Sequence, residues 1–231
     1  MKNLDFPIIT ITSKWYSEYT LNMLASIKKV GLADNVTTFC LDQDSFKEIS
    51  SNGFLAKSID TSYEITKKPT HYGTKEFNRF MFYKMQIIRN ELIKNKFILY
   101  TDGDVVFKKN IIDLIDRKRN FEILAIKDFD VSNPNKVSIC AGFMMVKSNL
   151  KTRRLFNPNT IAKNNFNIQD QEIINSKKRW INYEFLDEKL YSNGSYFTNN
   201  SKKIDPVVVH FNYIVGEDKK DVMNSYGYWY L

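Results

Sequence analysis

The feature that most constrains the fold is an apolar segment that ends in two closely spaced carboxylates. Residues Phe97–Thr101 form a run typical of a buried strand, and Asp102-Gly103-Asp104 and a second apolar run follow directly. In open α/β sheets, ligands lie beyond the carboxyl ends of parallel strands. Two carboxylates separated by a glycine suit a hard divalent cation that also takes diphosphate oxygens. The alternative is a simple turn between two strands.

The first half of the chain alternates between strand and helix patterns. Residues 6–12 are rich in isoleucine and threonine, and residues 16–30 carry apolar side chains at helical spacing before Gly31. Further elements are predicted at 36–41 (strand), 45–50 (short helix), 53–57 (strand) and 75–94 (long helix). This order predicts an α/β domain with a mixed, mainly parallel central sheet.

The second half is more mixed in pattern. Strands are predicted at 121–126, 137–146, 180–186 and 206–210, and a helix at 170–176. A chain of 231 residues with 43% apolar content can bury one large core, so we expect a single domain over residues 1–231.

Charge and cysteine content indicate where the protein is located and what kind of partner it binds. Charged residues make up 26%, no 18-residue apolar window occurs, and the first residues lack the apolar core of a signal peptide. Cys40 and Cys140 lie in apolar segments and are interpreted as buried free thiols, so a cytoplasmic location is expected. The net charge of +8 favours anionic partners such as nucleotide phosphates or an acidic membrane face. No nucleic-acid fold signature accompanies it, and no nucleic-acid partner is expected.

A second apolar strand also ends in a residue that can bind a metal. His210 closes the run 206–210 and is one of two histidines in the chain. Imidazole and carboxylates form a common ligand set, so Asp102, Asp104 and His210 are predicted to share a metal ion. A structural histidine at a strand end is the alternative. Lys219 and Lys220 open a predicted helix, where they either meet phosphate or form a surface pair.

Three further segments are candidate parts of the site. Thr10, Ile11 and Thr12, with the ring of Tyr16, stand where an α/β half would bind a nucleotide, or are ordinary β-formers. The breaker-rich loop 69–73 is predicted to be a lid. The aromatic segment 223–231 either docks into the core or closes over the diphosphate.

Four motifs, taken in order, resemble those of glycosyltransferase family 77 and, more distantly, family 8. They are Asp102-Gly103-Asp104, Ala141-Gly142-Phe143-Met144, Gln169-Asp170-Gln171 and the block from His210 to Lys220. The similarity runs from about residue 8 to residue 229. The Asp-x-Asp motif alone is weak, the histidine-to-lysine block is rather specific, and the ordered set is strong.

The resemblance implies a glycosyltransferase-A (Rossmann-like) fold, a manganese or magnesium ion and a nucleotide-sugar donor. It also implies retention of anomeric configuration and a glycan or other hydroxyl acceptor. The nucleotide-binding half would span about 1–107, and the sugar and acceptor half about 108–231.

The resemblance also implies roles for individual residues. Asp102, Asp104 and His210 match the metal ligands, and Asp170 with Gln171 matches the catalytic pair beside the reacting sugar. The alternative for Asp170 is an acidic residue at the start of a helix that interacts with the helix dipole. The implied nucleotide-sugar contacts are Lys84, Thr101, Gly103, Gly142, Gly216 and either Lys220 or Lys219. Asp128 and Asp130, in a segment predicted to pass from strand to loop, either hold sugar hydroxyls or are solvated.

One departure from the family pattern concerns the donor sugar. Cys140-Ala141-Gly142 stands where the family often has Asn-Ser-Gly or Asn-Thr-Gly, so an amide that would touch the sugar is lost. Two alternative functions fit the sequence less well. A nucleotidyltransferase would normally carry a glycine-rich, basic loop after the first strand, and residues 12–15 have no glycine. A non-catalytic binding module has no need of the full metal set.

Overall fold

The computed structural model describes residues 4–63, 65–66, 70–116, 121–130, 133–214 and 218–231, except the side chains of 130 and 133–135. The strands are β1 (Ile8–Thr12), β2 (Val36–Cys40), β3 (Ala56–Ser58), β4 (Phe97–Thr101), β5 (Val105–Phe107), β6 (Ile123–Asp130), β7 (Asn133–Lys147), β8 (Tyr183–Phe185), β9 (Tyr191–Asn193) and β10 (Val208–His210). The helices are α1 (Ser17–Lys29), α2 (Gln43–Ser51), α3 (Lys75–Lys94), α4 (Leu150–Leu155), α5 (Asn159–Lys163), α6 (Asp170–Ser176), α7 (Gly194–Asn200) and α8 (Asp218–Ser225).

The described part of the chain forms a central seven-stranded sheet with the order β3-β2-β1-β4-β7-β6-β8. Pairs β1–β2, β1–β4, β2–β3 and β6–β8 are parallel, while β7 runs antiparallel to both β4 and β6. The predicted α/β class with a mixed, mainly parallel sheet is therefore confirmed.

Helices cover both faces of this sheet because its central strands are apolar on both sides. Ile8 of β1 packs in a core cluster with Leu24 of α1, whereas Ile9 packs in a second cluster with Met85 of α3. Successive side chains of a strand point to opposite faces, so the two cores lie on opposite sides of the sheet. Every residue of β1 and β4 is buried, as expected for a strand covered on both faces.

A second, three-stranded sheet carries the metal-competent histidine to the Asp-Gly-Asp turn. Its order is β5-β10-β9, with β10 antiparallel to β5 and parallel to β9. His210 pairs with Val105, the residue after Asp104, and the amide of Phe211 donates to the carbonyl of Asp104 at 3.0 Å. The register thus fixes His210 beside the carboxylates.

The second half differs from the sequence-based expectation in detail. Strand β6 extends to residue 130 and β7 begins at residue 133, so Asp128 lies within a strand rather than at a strand-to-loop transition. The strand expected at 180–186 is only Tyr183–Phe185, after a 3-10 turn at Lys178–Trp180. Elements β9, α4, α5 and α7 were not predicted, since they are short and pack through long-range contacts.

The aromatic segment at residues 226–230 docks against α1. Tyr228 is buried, its carbonyl accepts from Nδ2 of Asn22 at 3.0 Å, and the amide of Tyr230 donates to Oδ1 of Asn22 at 2.6 Å. The ring of Trp229 meets Tyr19 edge-on at 5.7 Å. This arrangement corresponds to the core-docking alternative.

None of the helices in the described ranges combines the length and apolarity needed to cross a bilayer.

Candidate active site

Asp102, Asp104 and His210 converge at the carboxyl end of β4. Their ligand atoms all lie within 4.8 Å of one another. Nε2 of His210 is 3.1 Å from Oδ1 of Asp104 and 3.9 Å from Oδ2 of Asp102. Burial lowers the pKa of His210, but the contacts with Cys140 and Asp104 outweigh it and hold the pKa well above its ordinary value. The structure therefore brings together the three residues that the sequence predicted as a metal set.

Two glycines leave the space that this cluster needs. A Cβ at Gly142 would overlap Cε1 of His210 and lie 2.5 Å from Oδ2 of Asp102 and 2.8 Å from Nε2 of His210. A Cβ at Gly103 would lie 2.5 Å from Oγ1 of Thr20. Gly103 thus lets the carboxylate turn pack on α1, and Gly142 keeps open the space between carboxylate and imidazole.

The two lysines at the start of α8 face different partners. Nζ of Lys219 forms an ion pair with Oδ2 of Asp104, whereas Lys220 pairs with exposed Glu18 and covers the ring of Trp229 at 4.8 Å. Burial raises the pKa of Asp104, but Lys219 and His210 outweigh it and hold the pKa far below its ordinary value. The structure places Lys219 at the cluster and Lys220 on the surface beside it.

Lys84 of α3 joins the metal-competent carboxylate to the predicted sugar site. Its Nζ lies 2.8 Å from Oδ2 of Asp170 and 3.3 Å from Oδ1 of Asp102. Burial lowers the pKa of Lys84, but the two carboxylates outweigh it and keep the pKa above its ordinary value. The Tyr100 hydroxyl also donates to Oδ1 of Asp102, at 2.6 Å. Burial and the Asp102 charge raise the pKa of Tyr100, so this hydroxyl stays a donor.

Asp128 is the centre of a buried hydrogen-bond network. Its carboxylate accepts from the hydroxyl of Tyr213, from Nε2 of Gln171 at 3.2 Å and from Nδ2 of Asn212 at 3.4 Å. Oε1 of Gln171 accepts from the amide of Ala141 at 2.9 Å. Gln171 is therefore held between β6 and β7, and the Asp128 carboxylate is occupied by neighbouring side chains rather than open to solvent.

The end of β1 lies next to the carboxylate turn through α1. Thr20 Oγ1 donates to Oγ1 of Thr12 at 3.0 Å, and Thr20 is the residue against which Gly103 packs. The hydroxyl of Tyr16 lies 3.2 Å from Oγ1 of Thr70, and burial, with Asp104 and Asp102 nearby, raises its pKa. Tyr16 is thus near the cluster.

Other predicted residues are less accessible, or are not described. Thr10, Ile11 and Thr101 are buried strand residues, and Oγ1 of Thr10 has no hydrogen-bond partner among the described residues. Gly216, Pro69 of the predicted lid and the side chain of Asp130 lie outside the described part of the chain.

Sequence reasoning missed several residues of this site. Tyr100, Asn212, Tyr213 and the Cys140 contact with His210 were not among the candidates. For Tyr213 a signal was present, since it follows His210 by three residues within the motif block. Tyr100 sits inside an apolar run, where a hydroxyl two residues before Asp102 resembles ordinary core.

The donor set fits a divalent ion such as Mn²⁺ or Mg²⁺. Two carboxylates and one imidazole are hard and intermediate ligands that these ions accept in proteins. A Cβ at Gly142 would lie between Asp102 and His210, so the absence of a side chain at Gly142 keeps the space between these ligands free for an ion. Asp102, Asp104 and His210 are the residues that would hold the ion.

Comparison with known proteins decides the family. A family model described as nucleotide-diphospho-sugar transferase matches residues 31–223. This chain belongs to the nucleotide-diphospho-sugar transferase family. A curated relative is the UDP-galactose:fucoside alpha-3-galactosyltransferase of Dictyostelium discoideum, with 26% identity over 277 residues. The alignment covers 97% of this chain and 43% of the relative, so the chain spans less than half of that protein.

Solved structures of glycosyltransferases share the fold of this family member. The glycosyltransferase GlyE of Streptococcus pneumoniae has a TM-score of 0.62 at 16% identity, covering 97% of this chain and 60% of that one. The galactosyltransferase LgtC, solved with donor and acceptor sugar analogues, has a TM-score of 0.61 at 12% identity, covering 98% and 97%. The expected glycosyltransferase-A fold is confirmed.

Proposed function

We propose that this transferase-family chain is a divalent-metal-dependent glycosyltransferase. It moves a sugar from a nucleotide-diphosphate donor to a hydroxyl of a glycan or other acceptor. The observation that carries the proposal is the convergence of Asp102, Asp104 and His210 within 4.8 Å, with Lys219 paired to Asp104. We also propose a cytoplasmic location, because Cys40 and Cys140 are free thiols, as is usual for proteins of a reducing compartment.

Asp102, Asp104 and His210 would hold the cation, Mn²⁺ or Mg²⁺. When bound, the ion supplies Lewis-acid stabilisation of the negative charge on the leaving diphosphate. Lys219 contributes a positive charge at the same carboxylate, and such groups stabilise charge that develops in the transition state. We assign the diphosphate-binding role to Lys219 rather than Lys220, because Lys219 lies at Asp104 whereas Lys220 pairs with the exposed Glu18 outside the cluster.

Lys84, Asp170 and Gln171 would form the sugar side of the site. Lys84 couples Asp170 to Asp102, so the sugar-facing carboxylate and the metal-facing carboxylate are held by one buried cation. Gln171 is fixed by Ala141 and Asp128, and a fixed amide can orient a sugar without reorganising. We propose transfer with retention of configuration, in which these residues bind and shield the reacting sugar.

The donor to test first is UDP-galactose, because the curated relative is named for that donor. The protein is incubated with UDP-sugars, Mn²⁺ and a panel of glycan acceptors, and released UDP is measured. Proton NMR of the product reports its anomeric configuration. Metal-dependent UDP release with a retained anomer is expected. Tight donor binding without release or transfer with any acceptor would favour a non-catalytic module, and an inverted product would overturn the assignment of retention.

A further inference from the structure

We propose that Cys140 is a positioning residue for His210: its sulfur accepts a hydrogen bond from Nδ1–H and so holds the ring with Nε2 facing Asp104. The part of this inference that concerns metal affinity rests on the proposed function. The part that concerns the imidazole does not, since it is a property of the protein alone.

The two side chains meet in the interior. Sγ of Cys140 lies 3.2 Å from Nδ1 of His210, and the two residues are 1% and 4% exposed. Nε2 on the other side of the same ring lies 3.1 Å from Oδ1 of Asp104. The ring therefore has one partner on each nitrogen, and its orientation is fixed by the pair.

An irregularity in β7 accompanies this placement of Cys140. In the pairing with β6, Ala125 faces Met144 and Lys127 faces Ile139, so two steps along β6 correspond to five along β7. Bulges of this kind re-aim side chains and are common beside active sites. Cys140 and Gly142 both lie in the displaced stretch, and both approach His210.

The hydrogen bond matters because an imidazole that binds a metal through Nε2 has given up the proton there and keeps a single proton, on Nδ1. The partner of one ring nitrogen decides which nitrogen is free to bind a metal. Among the described residues, Sγ of Cys140 is the partner recorded at Nδ1. Without it, a neutral imidazole has no acceptor for a proton on Nδ1, and Oδ1 of Asp104 favours the form protonated on Nε2, whose lone pair cannot bind the metal.

The first test uses nitrogen-15 NMR of histidine-labelled, metal-free protein. The chain has only two histidines, and a His71→Gln variant assigns them. In the wild type, Nδ1 of His210 is expected to carry a slowly exchanging proton, and in Cys140→Ala, where its acceptor is lost, that proton is expected to exchange much faster. An unprotonated Nδ1 in the wild type would overturn the proposal, even if the variant does not fold.

The second test measures Mn²⁺ affinity by the electron paramagnetic resonance signal of the free ion. Loss of a group that orients a metal-binding histidine typically weakens affinity by about 10- to 100-fold. Cys140→Ala is expected to show a loss in this range, and Cys140→Ser, which keeps an acceptor, to show less. Cys40→Ala is the matched control, because Cys40 is also a buried free thiol but lies in β2.

The outcomes separate this inference from the proposed function. Wild-type affinity for Mn²⁺ in Cys140→Ala would overturn the positioning role while leaving the metal site intact. An equal loss in Cys40→Ala would also overturn it, since the effect would then be general to the core. If the wild type binds no Mn²⁺, the proposed function fails, and the NMR experiment still decides the role of Cys140.

Discussion

The ammonium of Lys84 lies 2.8 Å from the carboxylate of Asp170, and only 3% and 5% of the two side chains are exposed. A third charged group, the partly exposed carboxylate of Asp102, lies 3.3 Å from the same ammonium. One cation thus compensates two carboxylates that belong to different parts of the site.

Replacing Lys84 with methionine is expected to destabilise the protein strongly. Removing one partner of a buried ion pair leaves an uncompensated charge and costs about 3 to 5 kcal/mol. Urea unfolding measures the change in the free energy of unfolding. A loss below about 1 kcal/mol at neutral pH would contradict this account.

Lys219 and Lys220 form a matched pair of variants. Lys219→Ala is expected to weaken binding of a nucleoside diphosphate with Mn²⁺ by roughly 10- to 100-fold, because a hydrogen bond to a charged group contributes about 1.5 to 3 kcal/mol. Lys220→Ala removes the same charge from the adjacent position and should change affinity by less than about threefold, since exposed ion pairs contribute little. Isothermal titration calorimetry measures both. A larger effect at Lys220 would reverse the assignment.

Gly142→Ala is expected to abolish Mn²⁺ binding. The new Cβ would lie 2.5 Å from Oδ2 of Asp102 and 2.8 Å from Nε2 of His210, in the space between two predicted ligands. Paramagnetic resonance of free Mn²⁺ gives the affinity, and circular dichroism shows whether the variant is folded. Mn²⁺ affinity equal to the wild type in a folded variant would place the ion elsewhere.

Truncation after Met223 is expected to destabilise the ligand-free protein. Tyr228 is buried against Phe197 and Phe211, and Asn22 holds the segment through two hydrogen bonds. Loss of one large buried aromatic costs about 3 to 5 kcal/mol. The thermal midpoint should therefore fall by roughly 10 °C. An unchanged midpoint with increased donor hydrolysis would favour a lid instead.

Much of the nucleotide-side half could be predicted from the sequence because its elements have strong local patterns. Strand β1 is rich in isoleucine and threonine, β4 is a mostly apolar run, and α1 and α3 carry apolar side chains at helical spacing. The metal set was predictable because carboxylates and a histidine follow buried strands. In contrast, β9 and α7 are short, and they depend on pairing with β10 and packing against residues far away in the chain.

Side-chain choices within the site were harder to predict. Whether Lys219 or Lys220 faces Asp104 depends on where α8 begins and how it is rotated, which neighbouring residues in sequence do not determine. Asp128 was interpreted as a candidate for sugar hydroxyls or solvent, but its partners Gln171, Asn212 and Tyr213 lie 43 to 85 positions away. The role of Cys140 depends on the irregular register of β7, which the sequence pattern does not show.

The most direct test of the central claim is calorimetric titration of UDP into the protein with Mn²⁺ and, separately, with a chelator. The account predicts binding with Mn²⁺ and none detectable with the chelator, because Asp102, Asp104 and His210 would bind the diphosphate through the ion. Asp104→Asn should lose the Mn²⁺-dependent binding while remaining folded. Equal affinity for UDP in Mn²⁺ and in chelator would contradict the claim.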